Sequence, residues 1–158
     1  MSEAAPEIRP VKKDRKKYLD LLLLADPSEE MVDRYLEAGD LFVMFLGDTP
    51  VCEAVVCGLG GGACELKNLA TAEPFQKRGY AGRMISFLCD FYRPRCRRML
   101  VGTSEGNFRF YRNRGFRFSH VVKNFFPDHY PGPVIDNGEV LTDMTYFEKE
   151  LRNESSGN

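Results

Sequence analysis

After Pro74 the hydrophobic rhythm of the chain changes. Ala81, Met84, Ile85, Leu88, Cys89 and Tyr92 fall at i, i+3, i+4, i+7, i+8 and i+11, one apolar helical face that ends before Pro94. The apolar segments ahead of it are of strand length: Leu41–Leu46, Val51–Cys57 and Cys64–Thr71, joined by the turn Gly47-Asp48-Thr49-Pro50 and by Gly58–Gly62. Three consecutive strands with short connections make an antiparallel meander. A meander followed by an amphipathic helix requires a mixed fold.

The remaining elements extend that reading. Glu7–Val11 is a short strand and Lys13–Ala25 a helix. Ser28 is the expected N-cap of a second helix, with Glu29 and Glu30 favouring its dipole and Gly39 as its C′ glycine. Arg98–Thr103 reads as a strand, and Asn107–Asn113 as a short helix closed by Gly115. Phe116–Phe126 and Val140–Leu151 read as the last two strands, separated by a Pro/Gly-rich loop. The chain has 158 residues, no internal repeat and no linker, so a single domain is expected over residues 1–152 with a polar tail at 153–158.

Composition excludes several classes. The longest apolar runs, Leu21–Ala25 and Leu41–Leu46, fall far short of the roughly 20 residues a bilayer demands. No signal-peptide pattern opens the chain. A formal net charge of -1 argues against a general nucleic-acid or membrane binder. The five cysteines (Cys52, Cys57, Cys64, Cys89, Cys96) include no Cys-x-x-Cys pair, which fits neither a disulfide framework nor a zinc site. His120 and His129 lack ligand spacing, so no metal is expected. A reducing, cytoplasmic setting follows.

Two Gly-rich segments compete for a phosphate. Gly58-Leu59-Gly60-Gly61-Gly62-Ala63 matches G-x-G-x-x-A, but that fingerprint needs a helix at its third position. Here a strand-like alternation follows, so a hairpin turn is the better reading. Gln76-Lys77-Arg78-Gly79-Tyr80-Ala81-Gly82-Arg83 instead joins a strand end to the amphipathic helix. Its first-turn amides, with Lys77, Arg78 and Arg83, make an anion site; the alternative is a helix that simply begins with basic residues.

Gln76-x-x-Gly79-x-Ala81 resembles the acyl-CoA-binding signature of the GNAT superfamily of N-acetyltransferases, and Phe110-Tyr111-Arg112-Asn113-Arg114-Gly115-Phe116 resembles a second family feature. The element order is similar to the family core from Glu7 to about Leu151. The resemblance implies an α/β (mixed α+β) three-layer fold. Its centre is a mostly antiparallel seven-stranded sheet with a parallel, splayed strand pair, flanked by about four helices.

It also implies roles. Acetyl-CoA would be the co-substrate, its pantetheine arm pairing with Leu69-Ala70-Thr71 and its pyrophosphate held by the loop from Gln76 through Lys77, Arg78, Gly79, Tyr80, Ala81 and Gly82 to Arg83. An amide near Leu69 or Ala70 would polarise the thioester carbonyl. An ammonium must lose a proton before it attacks a thioester, and Glu65, eleven residues before Gln76, sits where several family members carry their base. The other reading pairs Glu65 with Lys67 on the same strand. Tyr111 matches the family's proton donor to the leaving thiolate; packing as an aromatic is its alternative. Asn107 precedes Tyr111 by only four residues, fewer than the family usually has, so it contacts the cofactor or only caps a helix.

Phe125, Phe126, His129 and Tyr130 are expected to shape the acceptor pocket. The reaction implied is acetyl transfer to a primary amine in a ternary complex. A non-catalytic CoA sensor and an RNA-binding module built on Arg93-Pro94-Arg95-Cys96-Arg97-Arg98 are the other readings; the same cluster could equally be a solvated turn or a further CoA contact. Polyamines, aminoglycosides, amino acids, small amines and protein lysines or N-termini all remain open as acceptors, as do monomer and homodimer. Between Gln76 and Arg117, eleven Lys and Arg face only Asp90 and Glu105, a local excess of +9 hidden within the neutral total.

Overall fold

A computed structural model of the chain describes residues 5–152; the tail expected at 153–158 lies outside the described residues. In order these form β1 (Glu7–Val11), α1 (Leu19–Ala25), α2 (Glu29–Tyr35), β2 (Asp40–Leu46), β3 (Thr49–Gly60), β4 (Ala63–Thr71), α3 (Tyr80–Tyr92), β5 (Arg98–Thr103), α4 (Phe108–Arg112), β6 (Arg117–Val122), α5 (Phe125–His129), β7 (Ile135–Asp136), β8 (Glu139–Val140) and β9 (Met144–Glu150). Short 3-10 turns stand at Arg15–Tyr18, Glu73–Phe75 and Glu105–Asn107. The fold is mixed α/β. Seven strands form a mostly antiparallel sheet in the order β1-β2-β3-β4-β5-β9-β6, with β4 and β5 its parallel pair, while β7 and β8 form a separate hairpin. The chain divides into two compact units.

The first unit comprises Met1–Cys57 and Leu66–Leu88. β1 runs antiparallel to β2, and β2 to β3 with a bulge between Met44 and Phe45. Leu22, Val32, Tyr35, Leu36, Leu41, Val43, Phe45 and Val55 form a core cluster. On α3, Phe87 meets Phe42 edge-on with ring centres 5.5 Å apart. The Ser28 hydroxyl accepts from the Met31 amide at 3.2 Å, the expected N-cap of α2.

Gly39 does not play its expected part. Its φ lies outside the left-handed region. The Arg15 guanidinium instead donates to the carbonyls of Leu36 and Gly39, closing the end of α2 from another segment. Gly39 is small for a different reason: a Cβ there would stand 2.7 Å from Cys57 Sγ and 2.8 Å from the Val56 carbonyl. The expected helix over Lys13–Ala25 is likewise split into a 3-10 turn and α1.

The second unit comprises Gly58–Glu65 and Cys89–Asn158. Gly61 and Gly62, at φ 63° and 80°, make the two-residue turn between β3 and β4, so no helix follows the G-x-G-x-x-A match. The Gly62 carbonyl accepts from the amides of Arg97 (2.7 Å) and Arg98 (3.3 Å), which seats the start of β4 against β5. β9 is antiparallel to both β5 and β6.

Two expected strands are shorter than their apolar content implied. The Phe116–Phe126 strand stops at Val122, because Asn124 turns left-handed (φ 55°) and Phe125–His129 become α5. The Val140–Leu151 strand begins only at Met144. Glu139–Val140 pair back on Ile135–Asp136 through Asn137-Gly138, at φ 51° and 79°.

The basic cluster is largely structural. Arg93 Nε donates to the Leu151 carbonyl at 2.7 Å, and Arg95 Nη1 to Phe91 O at 2.8 Å while its guanidinium covers the Phe91 ring. Arg152 donates to the carbonyls of Arg93 and Pro94. Among the described residues no helix is long and apolar enough to cross a membrane.

Candidate active site

In the first unit, the end of β4 leads into the loop that opens α3. Leu69 and Thr71 are half-buried, and Ala70 between them is buried. Gln76, the first residue of the signature, turns back so that its Nε2 donates to the Thr71 carbonyl at 3.0 Å. Lys77 takes a left-handed backbone (φ 65°), rare for a residue with a side chain, and Gly79 follows at φ 86°. Alternating hands of this kind turn successive N–H groups toward one side and build an anion nest.

α3 then begins, its first bond running from the Arg83 amide to the Gly79 carbonyl at 3.1 Å. The N–H groups of Tyr80, Ala81 and Gly82 lie in the first turn, before any acceptor in their own helix. A Cβ at Gly79 would meet nothing within 4 Å, so the loop is open there. Lys77, Arg78 and Arg83 are exposed, the Arg78 guanidinium lying over the Phe75 ring at 5.6 Å, while Tyr80 is buried. Backbone donors, open space and positive side chains therefore converge on one helix start.

Behind this edge lies a buried polar group that the sequence reading passed over. Glu53 on β3 is fully buried, and neither carboxyl oxygen has a hydrogen-bond partner. Burial pushes its carboxyl well above the usual range; the nearby Ala70 amide favours the charged form but is outweighed. In the same unit Asn68 Nδ2 donates to the Leu22 carbonyl and to the Tyr35 hydroxyl, each at 3.0 Å, and Tyr35 donates to Asp26 at 2.8 Å. Burial, the first cause, pushes the Tyr35 phenol far up. Glu53 looked like an ordinary strand residue because a single acid in an apolar run carries no periodic signal.

In the second unit, Glu65 is half-buried on β4 and exchanges a side-chain hydrogen bond with Tyr146 of β9. The Tyr146 phenol is pushed up to about 12, first by burial and then by the Glu65 carboxylate. The Lys67 ammonium, expected as a partner for Glu65, lies 5.5 Å from the centre of the Tyr35 ring in the first unit. Tyr111 on α4 is buried, with its ring edge-on to Phe110 (5.0 Å) and Phe116 (5.4 Å). Desolvation raises its phenol beyond the ordinary value, and Arg114 only partly offsets this. Such a phenol keeps its proton and can donate it. Asn107 occupies the N-cap position of α4, yet its side chain makes no capping bond, so the expected cap is not formed.

The four expected acceptor residues come together on and just after α5. Phe125 stacks on His129 at 4.4 Å, and His129 Nδ1 lies 2.7 Å from the Phe125 carbonyl. Phe126 is buried against Tyr130, its amide bonded to the Thr142 carbonyl at 3.0 Å. Among the described residues the five cysteines form no disulfide. Among the described residues no group of three or more His, Cys, Asp or Glu is placed to hold a metal ion.

The first unit thus carries a strand meander that runs into an anion nest at the head of α3, and the second a half-buried carboxylate and a buried phenol. Residues 12–116 match the acetyltransferase (GNAT) family, and the chain belongs to that family. It is 30% identical over 136 residues to the uncharacterized N-acetyltransferase YvbK of Bacillus subtilis (strain 168), covering 84% of this chain and 88% of that one. A GNAT family acetyltransferase from Elizabethkingia anophelis, solved with acetyl-CoA bound, superposes with a TM-score of 0.87 at 33% identity, covering 92% of this chain and 97% of that one. A Bacillus subtilis acetyltransferase solved with CoA gives a TM-score of 0.86 at 28% identity, covering 94% and 100%.

Proposed function

We propose that this protein transfers an acetyl group from acetyl-CoA to a primary amine by direct attack in a ternary complex. The observation that carries the reading is the left-handed Lys77 and Gly79 pair at the open head of α3. It turns backbone donors and basic side chains to where a pyrophosphate binds. Relatives solved with acetyl-CoA and with CoA support the choice of co-substrate. The family match takes in parts of both units, which supports reading residues 1–152 as one acetyltransferase domain.

In this reading Gln76–Arg83 hold the phosphates and the Leu69–Thr71 edge pairs with the pantetheine arm. Bound acetyl-CoA supplies the activated thioester. Glu65 takes a proton from the acceptor ammonium, which frees the nitrogen lone pair, and Tyr111 gives its phenolic proton to the departing sulfur. Phe125, His129 and Tyr130 shape the acceptor side. The acceptor is a small-molecule or protein amine, and the site uses no metal and no nucleic acid.

The test is a screen of amine classes with acetyl-CoA, following release of free thiol and the mass of the acetylated amine. Thiol release that depends on an amine, with matching product, is expected. Binding of acetyl-CoA without release across all classes would replace this reading with a CoA-binding sensor of the same fold.

A further inference from the structure

Three strands of the second unit place Gly102, Tyr146 and His120 side by side in register, on β5, β9 and β6. The glycine is needed because the Tyr146 ring lies across it: a Cβ at Gly102 would come within 3.1 Å of Tyr146 Cε2 and 3.0 Å of the Met144 side chain. On the β6 side the His120 imidazole stacks on the same ring, with centres 4.8 Å apart and planes 1° from parallel. His120 is itself turned by Ser119, whose Oγ lies 2.9 Å from Nδ1. A tyrosine confined by a missing side chain and a stacked ring has little freedom about its side-chain torsions. Its hydroxyl reaches the Glu65 carboxyl, whereas nothing in packing alone requires a phenol over a phenylalanine.

We propose that Tyr146 is a positioning residue for Glu65: held between Gly102 and His120, its hydroxyl fixes the carboxylate that accepts the acceptor's proton. The inference rests on the base role of Glu65 given above. A hydrogen bond donated to a carboxylate fixes its orientation. A base so held wastes no turnovers in unproductive rotamers. The titratable groups against the Tyr146 side chain are Glu65 from β4 and His120 from β6. The test therefore has to separate them.

The experiment compares kcat and KM over pH 5–10 for wild type, Tyr146→Phe, His120→Phe, Gly102→Ala, Glu65→Gln and the Tyr146→Phe/Glu65→Gln double variant, with acetyl-CoA binding as a control. Tyr146→Phe should lower kcat about tenfold at every pH, with amine KM and acetyl-CoA affinity unchanged. His120→Phe keeps a stacked ring without the imidazole nitrogens and should follow the wild-type profile. Gly102→Ala pushes the ring while leaving the hydroxyl in place. It should reproduce the Tyr146→Phe profile, and it carries the test should Tyr146→Phe not fold. In the Glu65→Gln background, removing the Tyr146 hydroxyl should cost nothing further. A Tyr146→Phe or Gly102→Ala profile that superimposes on wild type, with Glu65→Gln impaired, overturns the positioning role alone. Wild-type turnover by Glu65→Gln overturns the base reading and this proposal with it.

Discussion

The side-chain amide of Asn68 donates to the Tyr35 hydroxyl at 3.0 Å, joining residues 33 positions apart. That hydroxyl in turn donates to Asp26, so one phenol bridges two buried polar side chains. Tyr35→Phe leaves both without it, and an unsatisfied buried polar group costs about 1–3 kcal/mol. Chemical denaturation should show a loss in that range, with the slope of the transition unchanged.

Glu53 predicts a dependence of stability on pH. Its folded carboxyl binds a proton more tightly than the unfolded one. Above the ordinary value of about 4.3 the unfolded chain has released the proton while the folded chain keeps it, so stability falls as pH rises. The slope is about 1.4 kcal/mol per pH unit until the folded group titrates. Glu53→Gln removes this term. Its Tm should gain on that of the wild type as pH rises above about 5, and parallel Tm curves would contradict the buried neutral carboxyl.

At the opening of α3, Gly79 combines φ 86° with open space. A Cβ at Gly79 meets nothing within 4 Å, but Gly79→Val forces a β-branched residue into the left-handed region, at a cost of about 1–3 kcal/mol. The loop should relax away from its present shape. Calorimetry should show acetyl-CoA affinity falling about tenfold or more, with Tm lowered by only a few degrees.

For the proposed proton transfers, Glu65→Gln should lower kcat more at pH 7 than at pH 9.5, where free amine is abundant. Tyr111→Phe should lower kcat about 100-fold at every pH in that range, with CoA binding retained. Burial holds the Tyr111 proton beyond its ordinary value, so this phenol contributes no alkaline limb below pH 10. Steady-state profiles of both variants check this; an alkaline limb that vanishes in Tyr111→Phe would contradict it.

The four aromatic and imidazole side chains about α5 should separate into two groups. Phe126 is buried, and Phe126→Ala should lose about 3–5 kcal/mol of stability. Phe125→Ala, His129→Ala and Tyr130→Ala should raise acceptor KM and leave acetyl-CoA affinity within about twofold. Thermal melts beside acceptor titrations distinguish the groups.

The fold was legible wherever a segment had a long period. The α3 face, the meander and the Ser28 cap appear in the structure with bounds within a few residues of those read. Legibility failed where contacts distant in sequence decided the outcome. Nothing local near Gly39 shows that Arg15 will close α2, and an apolar run from Phe116 to Phe126 hides the left-handed Asn124 that ends it. The β7–β8 hairpin carries the Asn137-Gly138 turn signal, but strands of two residues are too short to show alternation. At the candidate site the signature loop was readable because its residue types are unusual. Tyr146 and Glu53 were not, since their meaning lies in what stands across the sheet.

The strand order of the second unit has a consequence in time. β9 lies between β5 and β6 although it follows both along the chain. During synthesis β5 and β6 emerge first and cannot pair with each other in the final arrangement. Their shared partner, residues 144–150, arrives about forty residues after Thr103. Pairings of such long sequence separation form slowly. Until they form, the apolar flank of β6, with Phe118 and Val121 still exposed in the finished fold, is an unpaired strand open to misassociation. The second unit should therefore be the part of this protein most dependent on chaperones as it is made.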